Sequence, residues 1–125
     1  YNNPQQPFRR FQPTTDTKTT ILGEQQWKWL EDELKKPADL RLIVSSIQLI
    51  PNAHGFEKWG NFPHERKRFF DLLKKYKTKN AVIISGDRHI GTIAQEKIPG
   101  LGTLTEITAS SFNRPAKFKE TDPTY

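Results

Sequence analysis

Two apolar, β-branched runs separated by an amphipathic segment constrain the fold of this sequence more than any other feature. Residues 42–50 and 81–85 have the composition of buried strands, and residues 63–76 between them repeat apolar side chains at helical spacing. The first run opens with consecutive apolar residues, which is typical of a central strand covered on both faces. A strand–helix–strand unit predicts a parallel strand pair joined by a right-handed crossover. We therefore expect an α/β fold.

The rest of the chain supplies one more helix, one more strand and irregular segments. Apolar residues recur at spacings of three and four within 24–36, which predicts an amphipathic helix, and 103–109 has the pattern of a third strand. Residues 51–62 contain Pro51, Asn52, Gly55 and Gly60, which break regular structure, and form a predicted loop. Residues 1–19 predict an extended N-terminal arm, and residues 115–125 predict a C-terminal tail.

The second strand ends in a short motif that can bind metal. Asp87 and His89 follow Gly86 directly after the apolar run, so a carboxylate and an imidazole stand two residues apart. The carboxyl ends of strands in open α/β sheets are where sites are usually built. Carboxylate and imidazole ligands suit divalent metals that perform water and phosphate chemistry. On spacing alone, a plain strand-to-turn junction with an incidental histidine is the favoured alternative, because Asp-x-His is a short pattern with many false positives.

The parallel pair also predicts which other residues lie near this motif. Loops that follow two neighbouring parallel strands leave the sheet at the same edge, so residues 51–61 should lie beside residues 87–89. His54 is a candidate metal ligand or general acid, with a solvated loop histidine as the alternative. Trp59 is a candidate apolar wall for a substrate pocket, and Asn61 is a candidate hydrogen-bond donor to the phosphate of a substrate. The alternative for both is that they anchor the loop.

Arg88 lies between the two candidate ligands. Its planar guanidinium can bind two oxygens of a phosphate, which makes it a candidate catalytic residue. Pairing with a surface carboxylate is the alternative. Because alternate residues of an extended segment face opposite ways, Arg88 is expected to face away from Asp87 and His89.

Four segments in order resemble the C-terminal half of the alkaline phosphatase D-like (PhoD-like) metallophosphatases. The first resembles the segment that opens that half, the second its tryptophan segment, the third its Gly-Asp-x-His motif and the fourth its Glu-x-Thr-x-Ser-Ser stretch. These segments are residues 20–30, 59–66, 85–89 and 106–111. Within the wider calcineurin-like superfamily, Asp87 and His89 fall on the two ligand positions of the last metal motif.

The resemblance implies a fold, a reaction and cofactors. The fold is part of a calcineurin-like metallophosphoesterase αββα sandwich, with a mixed sheet flanked by helices, and residues 20–114 form the C-terminal part of that domain. The reaction is hydrolysis of phosphomonoesters or phosphodiesters by metal-bound hydroxide. The cofactors are two metal ions, calcium and/or iron, with Asp87 and His89 among their ligands. Relatives are typically exported, so an extracellular or periplasmic location is expected.

The family's earlier metal-binding segments, which are rich in Asp and Asn, have no counterpart in these 125 residues. We therefore expect this chain to be a C-terminal portion of a larger enzyme, inactive without the N-terminal half that supplies the other ligands. A hydrophobic content of 34% agrees with this expectation, because part of the core would come from that half.

Charge leaves a second class of function open. The formal net charge of +6 favours an anionic partner, so a basic binding module for nucleic acid or an anionic polymer is the alternative to an enzyme. The basic residues are dispersed, however, and no nucleic-acid-binding motif accompanies them, which makes nucleic acid an unlikely partner. The absence of cysteine excludes disulfides, thiolate ligands and a cysteine nucleophile. No apolar run is long enough to span a membrane.

Overall fold

A computed structural model of the protein describes residues 11–117 and 122–125. Residues 1–10 of the expected arm and residues 118–121 of the expected tail lie outside the described residues. The regular elements are, in chain order, helix α1 (Gly23–Leu34), strand β1 (Arg41–Ser45), a 3₁₀ turn (Trp59–Asn61), helix α2 (Pro63–Lys75), and strands β2 (Ala81–Ser85), β3 (Gly91–Ile98) and β4 (Gly102–Ala109).

The four strands form one mixed sheet in the order β1-β2-β4-β3. Strands β1 and β2 are parallel, with Arg41 opposite Ala81, and β2 is also parallel to β4. Strands β3 and β4 form an antiparallel hairpin. The predicted α/β class, with a mixed sheet and flanking helices, is confirmed. The predicted parallel pair is confirmed as well, and both helices occupy their predicted positions to within two residues.

The helices cover one face of the sheet and form a single hydrophobic core with it. Trp27 of α1, Trp59 of the 3₁₀ turn and Phe69 of α2 are all buried. Their rings meet edge to face, with centroids 6.0 Å apart for Trp27 and Trp59 and 5.2 Å apart for Trp59 and Phe69. Ile83 of β2 and Leu104 of β4 close the core from the sheet side. This core fixes the helical layer beneath the loops that follow β1 and β2.

The other face of the sheet is apolar and uncovered by any described residue. Val44, Ile84, Ile107 and Ile93 stand opposite one another in a row across all four strands. Val44 is 76% exposed and Ile93 is 62% exposed. The described residues therefore supply one sheet and one helical layer of the expected αββα sandwich.

The prediction of a central strand over residues 42–50 is wrong. Strand β1 ends at Ser45 and lies at the edge of the sheet, so its alternate side chains are exposed, with Leu42 at 57%. Beyond it, Leu49 and Ile50 are buried, yet their backbone N–H groups donate to the carboxylate of Glu106 instead of to a neighbouring strand. An apolar run thus continues into the core without continuing the sheet.

Strand β3 was not predicted. It pairs along its length with β4, from Gly91 opposite Ala109 to Ile98 opposite Gly102, across a turn that contains Gly100 at a φ of +82°. The strand is at the sheet edge and carries polar side chains at half of its positions, so its apolar alternation is weak. No helix in residues 11–117 or 122–125 has the length and apolar character that crossing a bilayer requires.

Candidate functional site

The loops after β1 and β2 meet at the carboxyl edge of the sheet, as the parallel pairing predicts. Nη1 of Arg88, in the loop after β2, lies 2.9 Å from Nδ1 of His54, in the loop after β1. The guanidinium carbon of Arg88 also stands 4.3 Å from the centre of the Phe56 ring. A hydrogen bond and a cation–π contact therefore hold the two loops together at one point.

The turn after β2 has a strained backbone at both candidate ligands. Asp87 has a φ of 67° and His89 a φ of 59°, which are values that few residues other than glycine adopt. The N–H of Arg88 donates to the carbonyl of Gly86 at 2.8 Å, which closes a tight three-residue turn around Asp87. On either side of His89, its N–H donates to Ser110 Oγ at 3.0 Å and its carbonyl accepts the N–H of Ala116 at 2.8 Å. Such conformations cost about 1 to 3 kcal/mol each and persist only where the surroundings impose them.

Burial alternates along this turn. Asp87 and His89 are exposed, whereas Arg88 between them is only 5% exposed. That Arg88 faces away from the other two stays a prediction, because its burial does not separate it from their pocket. All three residues line one pocket of about 480 Å³ at the edge of the sheet. Basic residues from the segment after β4 line the same pocket. The other lining residues are Phe56, Glu57, Arg114, Pro115, Ala116 and Lys117.

His54 is a buried, neutral histidine. Its burial, followed by the nearby charges of Arg88 and Lys58, lowers the pKa of the imidazole to about 3. Nδ1 accepts hydrogen bonds from Arg88 and from the N–H of Phe56, the latter at 3.2 Å, so the proton lies on Nε2. Both features oppose the roles predicted for it, because a neutral ring is a weak acid near pH 7 and its lone pair is already engaged. The geometry instead makes His54 the support of the Arg88 guanidinium, and a direct catalytic role for it stays a prediction.

Trp59 and Asn61 are buried in the loop and do not line this pocket. The indole N–H of Trp59 donates to Ser45 Oγ at 3.0 Å, and its ring belongs to the aromatic core. Asn61 Oδ1 accepts the N–H of Lys58 at 3.0 Å and so closes the 3₁₀ turn. These contacts favour the anchoring alternative for both residues, and contact with a substrate stays a prediction.

Sequence reasoning missed the buried polar residues that hold the loop after β1. Glu106 of β4 is fully buried and binds the N–H groups of Leu49 and Ile50. Lys58 is also buried and donates from Nζ to the carbonyl of His54 at 2.5 Å. An acidic residue at an apolar position of a strand, as in Thr103–Ala109, was the available signal for Glu106. Lys58 offered none, because a loop lysine is ordinarily solvated.

The residues of the turn fit a metal ion as part of its ligand shell. Asp87 offers carboxylate oxygens and His89 an imidazole, both exposed at one pocket, and divalent ions accept such donors. Within residues 11–117 and 122–125, no group of three or more His, Cys, Asp or Glu side chains is arranged to hold a metal. A divalent ion takes four or more ligands, so these two residues would hold it only together with donors from elsewhere.

The fold and the pocket at the carboxyl edge of its sheet define an α/β chain with one mixed sheet and one helical layer. The structure is similar to a solved one described as "Structure of PhoD", with a TM-score of 0.69 and 20% sequence identity, covering 82% of this chain and 23% of that chain. At that identity the likeness establishes the fold, and this chain spans about a quarter of the PhoD chain. No curated protein sequence matches significantly. The sequence matches the PhoD-like phosphatase family over residues 1–123, and the chain belongs to that family.

Proposed function

We propose that the enzyme containing this chain is a metal-dependent phosphoric ester hydrolase that acts on phosphomonoesters or phosphodiesters. The observation that carries the proposal is the turn after β2, which presents Asp87 and His89 to a pocket with Arg88 beside them. Backbone strain at both exposed residues supports it, because strained backbone clusters at functional sites. Membership of a phosphatase family supports the same class of reaction.

Each residue of the turn has a distinct part in this proposal. Asp87 and His89 would hold a metal ion, calcium or iron by family resemblance, and donors from the remainder of the enzyme would complete a two-metal site. When bound, such ions polarise the phosphoryl group and generate a nucleophile from water. Arg88 binds a phosphate oxygen with its guanidinium, which His54 and Phe56 hold in one orientation.

The same reasoning makes the 125-residue chain inactive by itself. Two donors on one turn bind a divalent ion weakly. The other ligands, and the neighbouring groups that would orient all of them, would be present only in the whole enzyme. The phosphate ester and the remainder of the enzyme are therefore the partners of this chain.

The experiment compares Asp87→Ala and His89→Ala in the full-length enzyme with Asp71→Ala, an acidic control on α2 that does not line the pocket. We expect both site variants to lose at least about two orders of magnitude in hydrolysis of aryl phosphate mono- and diesters, with loss of bound metal. The control should keep both. Activity within a few-fold of the wild type, with metal content unchanged, would show that these residues are not ligands.

The distribution of charge weighs against the alternative of a basic binding module. Many of the basic side chains on the two helices, and just after the first, form ion pairs with carboxylates, so these residues do not build a free basic stripe. The paired residues are Lys28, Lys35, Lys36, Arg66, Arg68, Lys67, Lys74 and Lys75. A steep salt dependence of nucleic-acid binding, without any metal requirement, would favour that alternative after all.

A further inference from the structure

Asp122, near the end of the chain, is a buried carboxylate that contacts the loop after β1. It is 6% exposed. Oδ2 accepts the backbone N–H groups of Asn52 at 2.9 Å and Ala53 at 2.7 Å. Oδ1 accepts the N–H of Thr124 at 3.0 Å and its hydroxyl at 2.6 Å. Four donors thus converge on one anion in a segment that the sequence predicts to be a tail.

The segment around Asp122 is itself fixed to the sheet. The N–H of Gln95, in the edge strand β3, donates to the carbonyl of Thr124 at 2.8 Å. The N–H of Tyr125 donates to the carbonyl of Asp122 at 3.0 Å. The described end of the chain is therefore a rigid base for the carboxylate, in contrast to a solvated tail.

We infer that Asp122 is a positioning residue, which holds Asn52 and Ala53 so that the next residue, His54, keeps the Arg88 guanidinium at the pocket. The contacts run from the Asp122 carboxylate to the backbone N–H groups, through His54 Nδ1, and on to Arg88. Asp122 is not among the residues that line the pocket, so its effect on the reaction is indirect and passes through the loop that supports Arg88. The inference rests on the proposed hydrolase function, since Arg88 is the phosphate-binding residue there.

The chemistry of the carboxylate explains why a neutral substitute would not serve. Burial alone would raise the pKa of Asp122, but the hydrogen bonds from Thr124, Ala53 and Asn52 outweigh it and lower the pKa below the usual value. The group is therefore an anion that accepts on both oxygens. An asparagine side chain has one oxygen that accepts hydrogen bonds and one NH₂ group that donates them. In place of Asp122, its NH₂ group would point at donors that now bind one of the two carboxylate oxygens.

The test is a double-mutant cycle on the full-length enzyme between Asp122→Asn and Arg88→Ala. Asp122→Asn should lower kcat/KM for an aryl phosphate ester about tenfold or more, since small misplacements of a binding group are costly. In the Arg88→Ala background the same change should have less than about a twofold effect, because the two residues act as one unit. Asp16→Asn is the matched control. It removes an exposed carboxylate that also caps a local turn, through Lys18 N–H at 2.9 Å, and it should change nothing.

The outcomes separate this inference from the proposed function. Equal losses from Asp122→Asn in both backgrounds would overturn the inference, because they indicate a general structural role. Wild-type enzyme without metal-dependent hydrolysis would overturn the proposed function and the inference with it. If Asp122→Asn does not fold, Asp122→Glu replaces it in the cycle, since it keeps the charge and moves the oxygens by one methylene. Wild-type activity in that variant would contradict the inference.

Discussion

The indole N–H of Trp27 donates to both carboxylate oxygens of Glu65, at 3.1 and 3.0 Å, and so ties α1 to the first turn of α2. The same carboxylate accepts the hydroxyl of Thr20 at 2.7 Å and the N–H of Ile21 at 2.9 Å. Glu65 is 4% exposed, so one buried anion organises the segment that leads into α1.

Replacing Glu65 by Ala should therefore destabilise the fold strongly. Trp27 and Ile21 would keep buried or half-buried donors without this acceptor, and the exposed Thr20 would lose its partner, at a total cost of about 3 kcal/mol. Urea denaturation followed by tryptophan fluorescence measures the change. Glu24→Ala is the matched control, because this glutamate is largely exposed and forms a surface ion pair with Arg68, and it should unfold at the wild-type urea concentration.

The stability of the fold at acidic pH should also depend on Glu65. Burial tends to raise its pKa, but hydrogen bonds from Thr20, Ile21 and Trp27 prevail and lower the pKa below the usual 4.5. A carboxyl with a lowered folded-state pKa stabilises the fold above the unfolded pKa and loses that contribution as the pH falls. The stability difference between wild type and Glu65→Gln should therefore shrink below about pH 4.5. A constant difference down to pH 2 would contradict this.

Glu106 should show the opposite dependence on pH. Burial raises its pKa above 4.5, although hydrogen bonds from Ser85 and from the N–H groups of Ile50 and Leu49 oppose the shift. A carboxyl with a raised folded-state pKa contributes fully below its unfolded pKa, and the contribution declines as the pH rises through the folded value. Wild type should thus lose stability relative to Glu106→Gln as the pH rises above 4.5, as measured by urea denaturation at several pH values. A gain over that range would show that the hydrogen bonds prevail.

Glycine at position 89 should stabilise the turn relative to alanine. The φ of 59° at His89 is strained for alanine and free of steric cost for glycine. Both His89→Gly and His89→Ala lack the imidazole, so they differ in the backbone preference alone. We expect His89→Gly to be more stable than His89→Ala by about 1 kcal/mol. Thermal unfolding of the two variants gives the comparison directly, and equal melting temperatures would mean that the turn relaxes to a negative φ.

The uncovered sheet face should make the 125-residue chain self-associate. Leu42, Val44, Ile93 and Ile107 form an apolar surface of the kind that soluble monomers rarely expose. Sedimentation should show association that depends on concentration. Val44→Lys combined with Ile93→Lys should reduce it, whereas Lys36→Glu, on the opposite layer, should not. A monomer at all concentrations would contradict the expectation.

The parts of the fold that sequence predicted well are those with a strong local period. Helix α2 carries its apolar face at regular spacing, and the parallel pairing of β1 and β2 follows from the crossover between them. That pairing also predicted the neighbourhood of His54 and Arg88, which no local pattern contains. The turn at Asp87 was recognisable because a glycine and two ligand types follow a buried strand.

The missed features depend on partners far along the chain. Whether residues 46–50 continue a strand is decided by Glu106, which takes the N–H groups that a neighbouring strand would otherwise bind. The buried state of His54 depends on Arg88 and Lys58, and that of Asp122 on backbone groups 69 and 70 residues away. Sequence periodicity indicates which side chains face the solvent and which face the core. It does not indicate which distant carboxylate accepts a hydrogen bond from which backbone amide.

These long separations have a consequence for the order of biosynthesis. The loop after β1 is held by partners that lie 34 residues from His54, 57 residues from Leu49 and 70 residues from Asn52. These contacts form only when most of the chain is available. Each one closes a long loop of the chain, and local contacts alone do not offset the conformational entropy that this closure costs. We therefore expect a ribosome-bound chain to form α1 and α2 early, and to complete the pocket only after residue 122 has emerged.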